Sequence, residues 1–172
     1  MTRFLVFAAT VSLRAWAADS SPTVAGQNVT TSIEETGDAT LDMLVIRFDA
    51  TVRNGTAGEI RIAKRPVFVP AVDRRSEAGE WKTWQMISSY DVGNDLDDKY
   101  EPCSIIPPQG TFDLSQVQTQ VFLKKDEAKT NSPLILQFHL LIRCRDGVSR
   151  PSVSLTTGPM EVPVPETKSG PN

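Results

Sequence analysis

Residues 134–144 read LILQFHLLIRC, and the spacing of their apolar side chains decides the fold. Leu134, Leu136, Phe138, Leu140, Ile142 and Cys144 recur at every second position, with Gln137, His139 and Arg143 between them. Only an extended strand, whose successive side chains point to opposite faces, gathers such a set on one surface. A second stretch repeats the pattern upstream. Leu44, Ile46, Phe48, Ala50 and Val52 alternate with Val45, Arg47, Asp49, Thr51 and Arg53. Two half-buried strands of this length predict an antiparallel all-β chain with one shared core.

Working outward, Asn54-Gly55 follows the upstream strand, and Ile60 and Ile62 resume a period of two, which predicts a β-hairpin over 44–62. Val67, Phe68, Val69 and Val72 lie around Pro66 and Pro70, so this piece is expected as a short edge strand or a crossing segment. Strands are further expected over 80–88 and 117–123, and a last one, broken near Gly158-Pro159, over Val153 to Val164. On the strand 80–88, Trp84 falls in phase with Met86 and is assigned to the core, while Trp81 faces outward. Ile105 to Gly110, with two prolines and a glycine, marks a bend.

About seven short strands separated by Gly, Pro and Asn turns predict an antiparallel two-sheet sandwich. Over roughly residues 29–164 the layout is similar to that of immunoglobulin-like and fibronectin-type domains. The likeness is one of architecture, because Trp81 and Trp84 both precede Cys103 instead of lying between two cysteines.

The first residues have a different character. Arg3 precedes the apolar run Phe4 to Leu13, and Ala15-Trp16-Ala17 places small residues at the two positions a signal peptidase inspects. Residues 1–17 are therefore expected to be a signal peptide cleaved after Ala17, followed by a flexible segment over 18–28, the sandwich domain over 29–164 and a disordered tail over 165–172. This leader carries two of the 18 basic residues and none of the 21 acidic ones, which leaves the mature chain at −5. A mildly acidic, mixed surface argues against nucleic acid as a partner, and no later apolar run reaches spanning length, so no membrane insertion is expected. The expected location is secreted or periplasmic.

Export bears on the two cysteines, Cys103 and Cys144. An oxidising compartment favours their pairing, and Cys144 ends the apolar face of the strongest strand, so a Cys103–Cys144 disulfide is predicted.

Catalytic chemistry finds little support. His139 is the only histidine and stands opposite an apolar face, without a nucleophile nearby in sequence. Two distant cysteines do not make a zinc site. Asp91, Asp95, Asp97, Asp98 and Glu101 crowd one loop and form a candidate calcium site, although Gly93 at the third position and the intervening Lys99 depart from EF-hand order. Trp81 is a candidate platform for a sugar ring or a partner protein. Asn28-Val29-Thr30 and Asn54-Gly55-Thr56 are candidate glycosylation sites at Asn28 and Asn54. The leading expectation is a secreted, non-enzymatic module that binds an extracellular or periplasmic protein or glycan, or plays a structural role, without a cofactor. The alternative is a secreted calcium-dependent hydrolase or metal-binding domain using the loop from Asp91 to Glu101.

Overall fold

A computed structural model describes residues 21–65, 67–86, 100–128 and 132–165. Among these residues ten strands run in the order β1 (Thr23–Glu35), β2 (Leu41–Arg53), β3 (Ile60–Ile62), β4 (Val67–Arg75), β5 (Trp81–Met86), β6 (Ser104–Ile106), β7 (Thr111–Lys124), β8 (Leu134–Arg143), β9 (Ser152–Thr156) and β10 (Met160–Val162). One helical turn, α1 (Lys125–Ala128), follows β7. All pairing between strands is antiparallel. One sheet has the order β1-β2-β7, a second β10-β8-β4-β5 with β9 also on β8, and a small third joins β3 to β6.

The two alternating stretches form the core as their periodicity predicts. Leu44, Ile46, Phe48, Ala50 and Val52 of β2 are buried, as are Leu134, Leu136, Phe138, Leu140 and Ile142 of β8. The sheets meet where Phe48 stacks on Phe138, ring centroids 4.8 Å apart and planes inclined by 28°. Each fully buried side chain of this size contributes about 1.5–3 kcal/mol relative to an exposed one, and burial on both inner faces holds the layers together.

Three of the four register shifts among the described strands explain where alternation fails as a guide. On β1 the register against β2 shifts between Gln27 and Thr30, and Asn28 there has a φ of 54°. On β7 it shifts beside Asp49, where Gln116 has a φ of 56°. Leu114 and Val117, three apart, are consequently both buried, and the strand begins at Thr111, six residues ahead of the 117–123 reading. On β5, Trp84 is the extra residue between Thr83, opposite Asp73, and Gln85, opposite Val72. An extra residue moves everything after it to the other face. Trp84 therefore packs against the core beneath the Arg74 guanidinium, 5.1 Å from its ring centroid, while Met86 turns outward instead of sharing the core.

Three further expectations are corrected. The segment read as flexible over 18–28 is ordered from Thr23 as the start of β1, with Val24 buried. Gly26 in that strand lets the buried Met160 approach, since a Cβ there would lie 2.2 Å from its sulfur. The hairpin over 44–62 does not form. Both edges of β2 are occupied, by β1 and β7, so β3 crosses away and pairs with β6. Neither Asn54 nor Gly55 takes the positive φ of a hairpin turn. Finally, β4 is an interior strand of nine residues between β8 and β5. Pro70 is tolerated because it falls where the register with β8 shifts, between Phe68 and Ala71, so no ladder donor is lost.

Cys103 and Cys144 are joined by a disulfide, with Cα atoms 4.9 Å apart. Beside it, Cys103 N–H donates to Arg145 O at 3.1 Å and Arg145 N–H to Glu101 O at 2.9 Å. The stretch before β6 is thus fastened to the end of β8.

Candidate binding groove

β7 has β2 on one side and, among the described residues, no strand on the other. Its free edge is directed by a single side chain. Gln85 of β5 donates from Nε2 to Phe122 O at 2.6 Å, and its Oε1 accepts from Phe122 N–H at 3.0 Å. The amide thus satisfies Phe122 as a neighbouring strand would. Backbone groups on one edge of a strand recur at every second residue, so Gln118 and Gln120 present theirs on the same side as Phe122.

Between this edge and strands β4 and β5 runs a groove of about 700 Å³, whose walls include Met43, Val67, Phe68, Met86 and Phe122. Met86 is 82% exposed and Phe122 53%, so the groove presents two large apolar side chains to water. The groove continues into a second concavity of about 470 Å³, which shares Val67 and Gln118 with the first and adds Lys64, Arg65, Ser115 and Gln116. The trough is apolar at one end and basic at the other. Among the described residues neither Lys64 nor the Arg65 guanidinium is ion-paired. Arg65 Nη2 donates to Gln116 Oε1 at 3.5 Å, and its backbone N–H to the Glu101 carboxylate at 3.2 Å.

Sequence chemistry sets this edge apart. Folded proteins blunt free edges with charges, proline, bulges or short strands. β5 and β10 are short, and β1 carries a bulge as well as Glu34 and Glu35. In contrast, residues 117–123 (VQTQVFL) contain neither a charge nor a proline.

A second polar feature lies on the outer face of the β8 sheet. His139 Nε2 lies 2.7 Å from Asp73 Oδ2, and Thr156 Oγ1 lies 3.3 Å from His139 Nδ1. The fold supplies the carboxylate partner that no neighbour in sequence offers His139, because Asp73 comes from the adjacent strand β4. Burial opposes ionisation of Asp73, but the hydrogen bond to His139, the nearby polar Thr83 side chain and the His139 charge outweigh it and lower the pKa. A depressed carboxylate pKa stabilises the fold above the unfolded value, and that stabilisation disappears as pH falls through the folded one. Wild-type melting temperature is therefore expected to fall as pH drops below about 4, and Asp73→Asn should remove part of that dependence. Parallel curves for the two proteins would show that Asp73 is not coupled to folding.

The residues singled out by sequence are dispersed. Trp81 is 36% exposed at the start of β5, the opposite end of that strand from the groove. Asp91, Asp95, Asp97 and Asp98 lie outside the described residues, as does the leader over 1–17. Glu101 is described, and its carboxylate accepts from the Arg65 N–H. Among the described residues no three metal-ligating side chains gather. Asn28 is exposed and donates from Nδ2 to Asp49 Oδ2 at 2.9 Å, while Gln116 N–H reaches Asp49 Oδ1 at 2.9 Å. Those two bonds hold the Asp49 carboxyl below its usual pKa and clamp the bulges of β1 and β7 to β2. The glycosylation reading of Asn54 is corrected. Its side chain is buried, Nδ2 donates to Gly58 O, Ile106 O and Pro107 O at 2.7, 3.0 and 3.2 Å, and Oδ1 accepts from Thr56. A glycan on Nδ2 would displace these bonds and has no room in this fold. Of the groove residues, Met86 was read as sharing the core and Gln85, Phe122, Lys64 and Arg65 carried no sequence signal; the uncharged run over 117–123 was the available one.

No described helix is long and apolar enough to cross a membrane. No protein-family model matches the chain, and no curated protein matches it. A solved structure titled "X-ray structure of Northeast Structural Genomics Consortium target SoR45" aligns over 86% of this chain and 89% of its own, at 11% identity and a TM-score of 0.35.

Proposed function

We propose that this chain is an exported, non-enzymatic binding module, cleaved after Ala17, that takes an extended segment of a partner protein as an added strand on β7. In this reading the two packed sheets form a sandwich of immunoglobulin or fibronectin-like layout whose role is to hold that edge open. Strand addition draws affinity from main-chain hydrogen bonds and specificity from pockets for alternate side chains, and the β7 edge beside its trough offers both. The observation that supports the reading is the pairing of Gln85 with Phe122, whose backbone groups lie on the edge of β7 that borders the groove.

The test is selection of extended peptides from a displayed library on the exported protein, followed by amide hydrogen exchange. Bound peptide is expected to slow exchange at Gln118 and Gln120 at least about tenfold, as new backbone bonds form there. Protection confined to another edge, or failure to select any peptide, would overturn the reading.

A further inference from the structure

We infer that the β7 groove selects a partner segment of about seven residues that is apolar in its first half and carries aspartate or glutamate at its C-terminal end. This rests on the strand-addition reading and adds direction and chemistry to it. The usable edge runs from Gln116 to Phe122, which at about 3.4 Å per residue accommodates roughly seven residues of extended chain. Its two ends differ. At the Phe122 end the walls are Met43, Phe68 and Met86, where exposed apolar surface gains by being covered. At the Gln116 end stand Lys64 and Arg65, exposed and, among the described residues, without an ion pair, in a protein whose formal charge is −3. Glu101 is the carboxylate at this end, and it is turned onto the Arg65 backbone N–H. A carboxylate from outside therefore meets two cationic side chains that form no ion pair among the described residues.

Direction follows from pairing. Antiparallel ladders are slightly more stable per residue than parallel ones, and every strand pair within these sheets is antiparallel. β7 runs from the basic end to the apolar end, so an antiparallel partner enters at Phe122 and leaves at Lys64 and Arg65. Gln85 already occupies the Phe122 backbone groups, which makes Gln120 and Gln118 the main anchors of the added strand.

The experiment compares fluorescein-labelled, N-acetylated and C-amidated peptides on the exported protein by anisotropy. Val-Ile-Val-Thr-Val-Ser-Asp-Glu is expected to bind at least about tenfold more tightly than its reversed sequence or a version ending in Lys-Lys. High salt should shrink that advantage. The surface double variant Lys64→Glu/Arg65→Glu, checked for an unchanged melting temperature, should abolish it and favour the Lys-Lys peptide. Equal binding of forward and reversed peptides, or a preference indifferent to the charge reversal, overturns the inference. If Gln118 and Gln120 amides are still protected in that case, strand addition itself stands. If no probe binds, or protection lies elsewhere, both readings fall together.

Discussion

Phe138→Ala should lower the free energy of unfolding by about 3–5 kcal/mol, the range for removing a buried phenylalanine from a packed core. The loss combines the transfer energy of the missing ring with the cavity left behind. Phe138 is fully buried at the centre of β8, and its stacking partner Phe48 belongs to the opposite sheet, so the cavity opens at the seam between layers. Neither sheet can close it without shifting as a whole. Gln137→Ala is the internal control. Gln137 points to the other face and donates from Nε2 to Thr157 O at a long 3.3 Å, so its loss should cost under about 1 kcal/mol. A double-mutant cycle with Phe48→Leu should add a coupling of about 0.5–1.5 kcal/mol beyond area burial, as aromatic pairs do. Denaturant unfolding measures all three. Equal losses at 137 and 138 would mean that the core faces the other way.

Reduction of the Cys103–Cys144 bridge, or the pair Cys103→Ala/Cys144→Ala, should lower stability by about 4 kcal/mol. The estimate is the loop entropy restored to the unfolded chain when a cross-link spanning 41 residues is removed. What the cross-link encloses makes the loss local as well as global. The stretch before β6 is held to β8 by the disulfide and by two backbone bonds between residues 101–103 and Arg145. β6 in turn supplies the partner of β3 and, through Ile106 O, an acceptor for Asn54. Without the bridge, amide exchange should therefore rise first in β3 and β6 and last in β2 and β8. A change under about 1 kcal/mol would show that the unfolded chain already keeps these segments together.

The inner faces of β2 and β8 were legible because each runs without a bulge in its own chain, so apolar residues keep one parity for about ten positions. Where a partner strand absorbs an extra residue, the pattern breaks and local reading loses the strand. Asn28 and Gln116 mark two such places, and Trp84 a third that sent Met86 to the outer face. Pro70 argued against an interior strand by a rule that holds for regular ladders, and β4 evades it by a register shift. Asn54-Gly55 read as a hairpin turn because the dipeptide favours one in isolation. The outcome was decided instead by β7 taking the second edge of β2, a contact between residues some seventy apart in sequence. The groove was invisible for the same reason. Whether a strand lies at an edge is a property of the assembled sheet, and only the missing charges over 117–123 hint at it beforehand.

The burial of Asn54 also gives the protein a chemical clock. An asparagine followed by glycine is the pair most prone to close into a succinimide and lose its amide nitrogen, because the glycine N–H attacks the side-chain carbonyl without steric hindrance. In the folded chain three carbonyls grip that nitrogen and Thr56 holds the oxygen, so the carbonyl carbon is not free to swing toward Gly55. Each opening of the segment around residues 54–58 releases it. Deamidation at Asn54, a gain of about one dalton, is thus expected to accumulate with time spent open, so that the mass of an aged sample would report how often this corner of the fold comes apart.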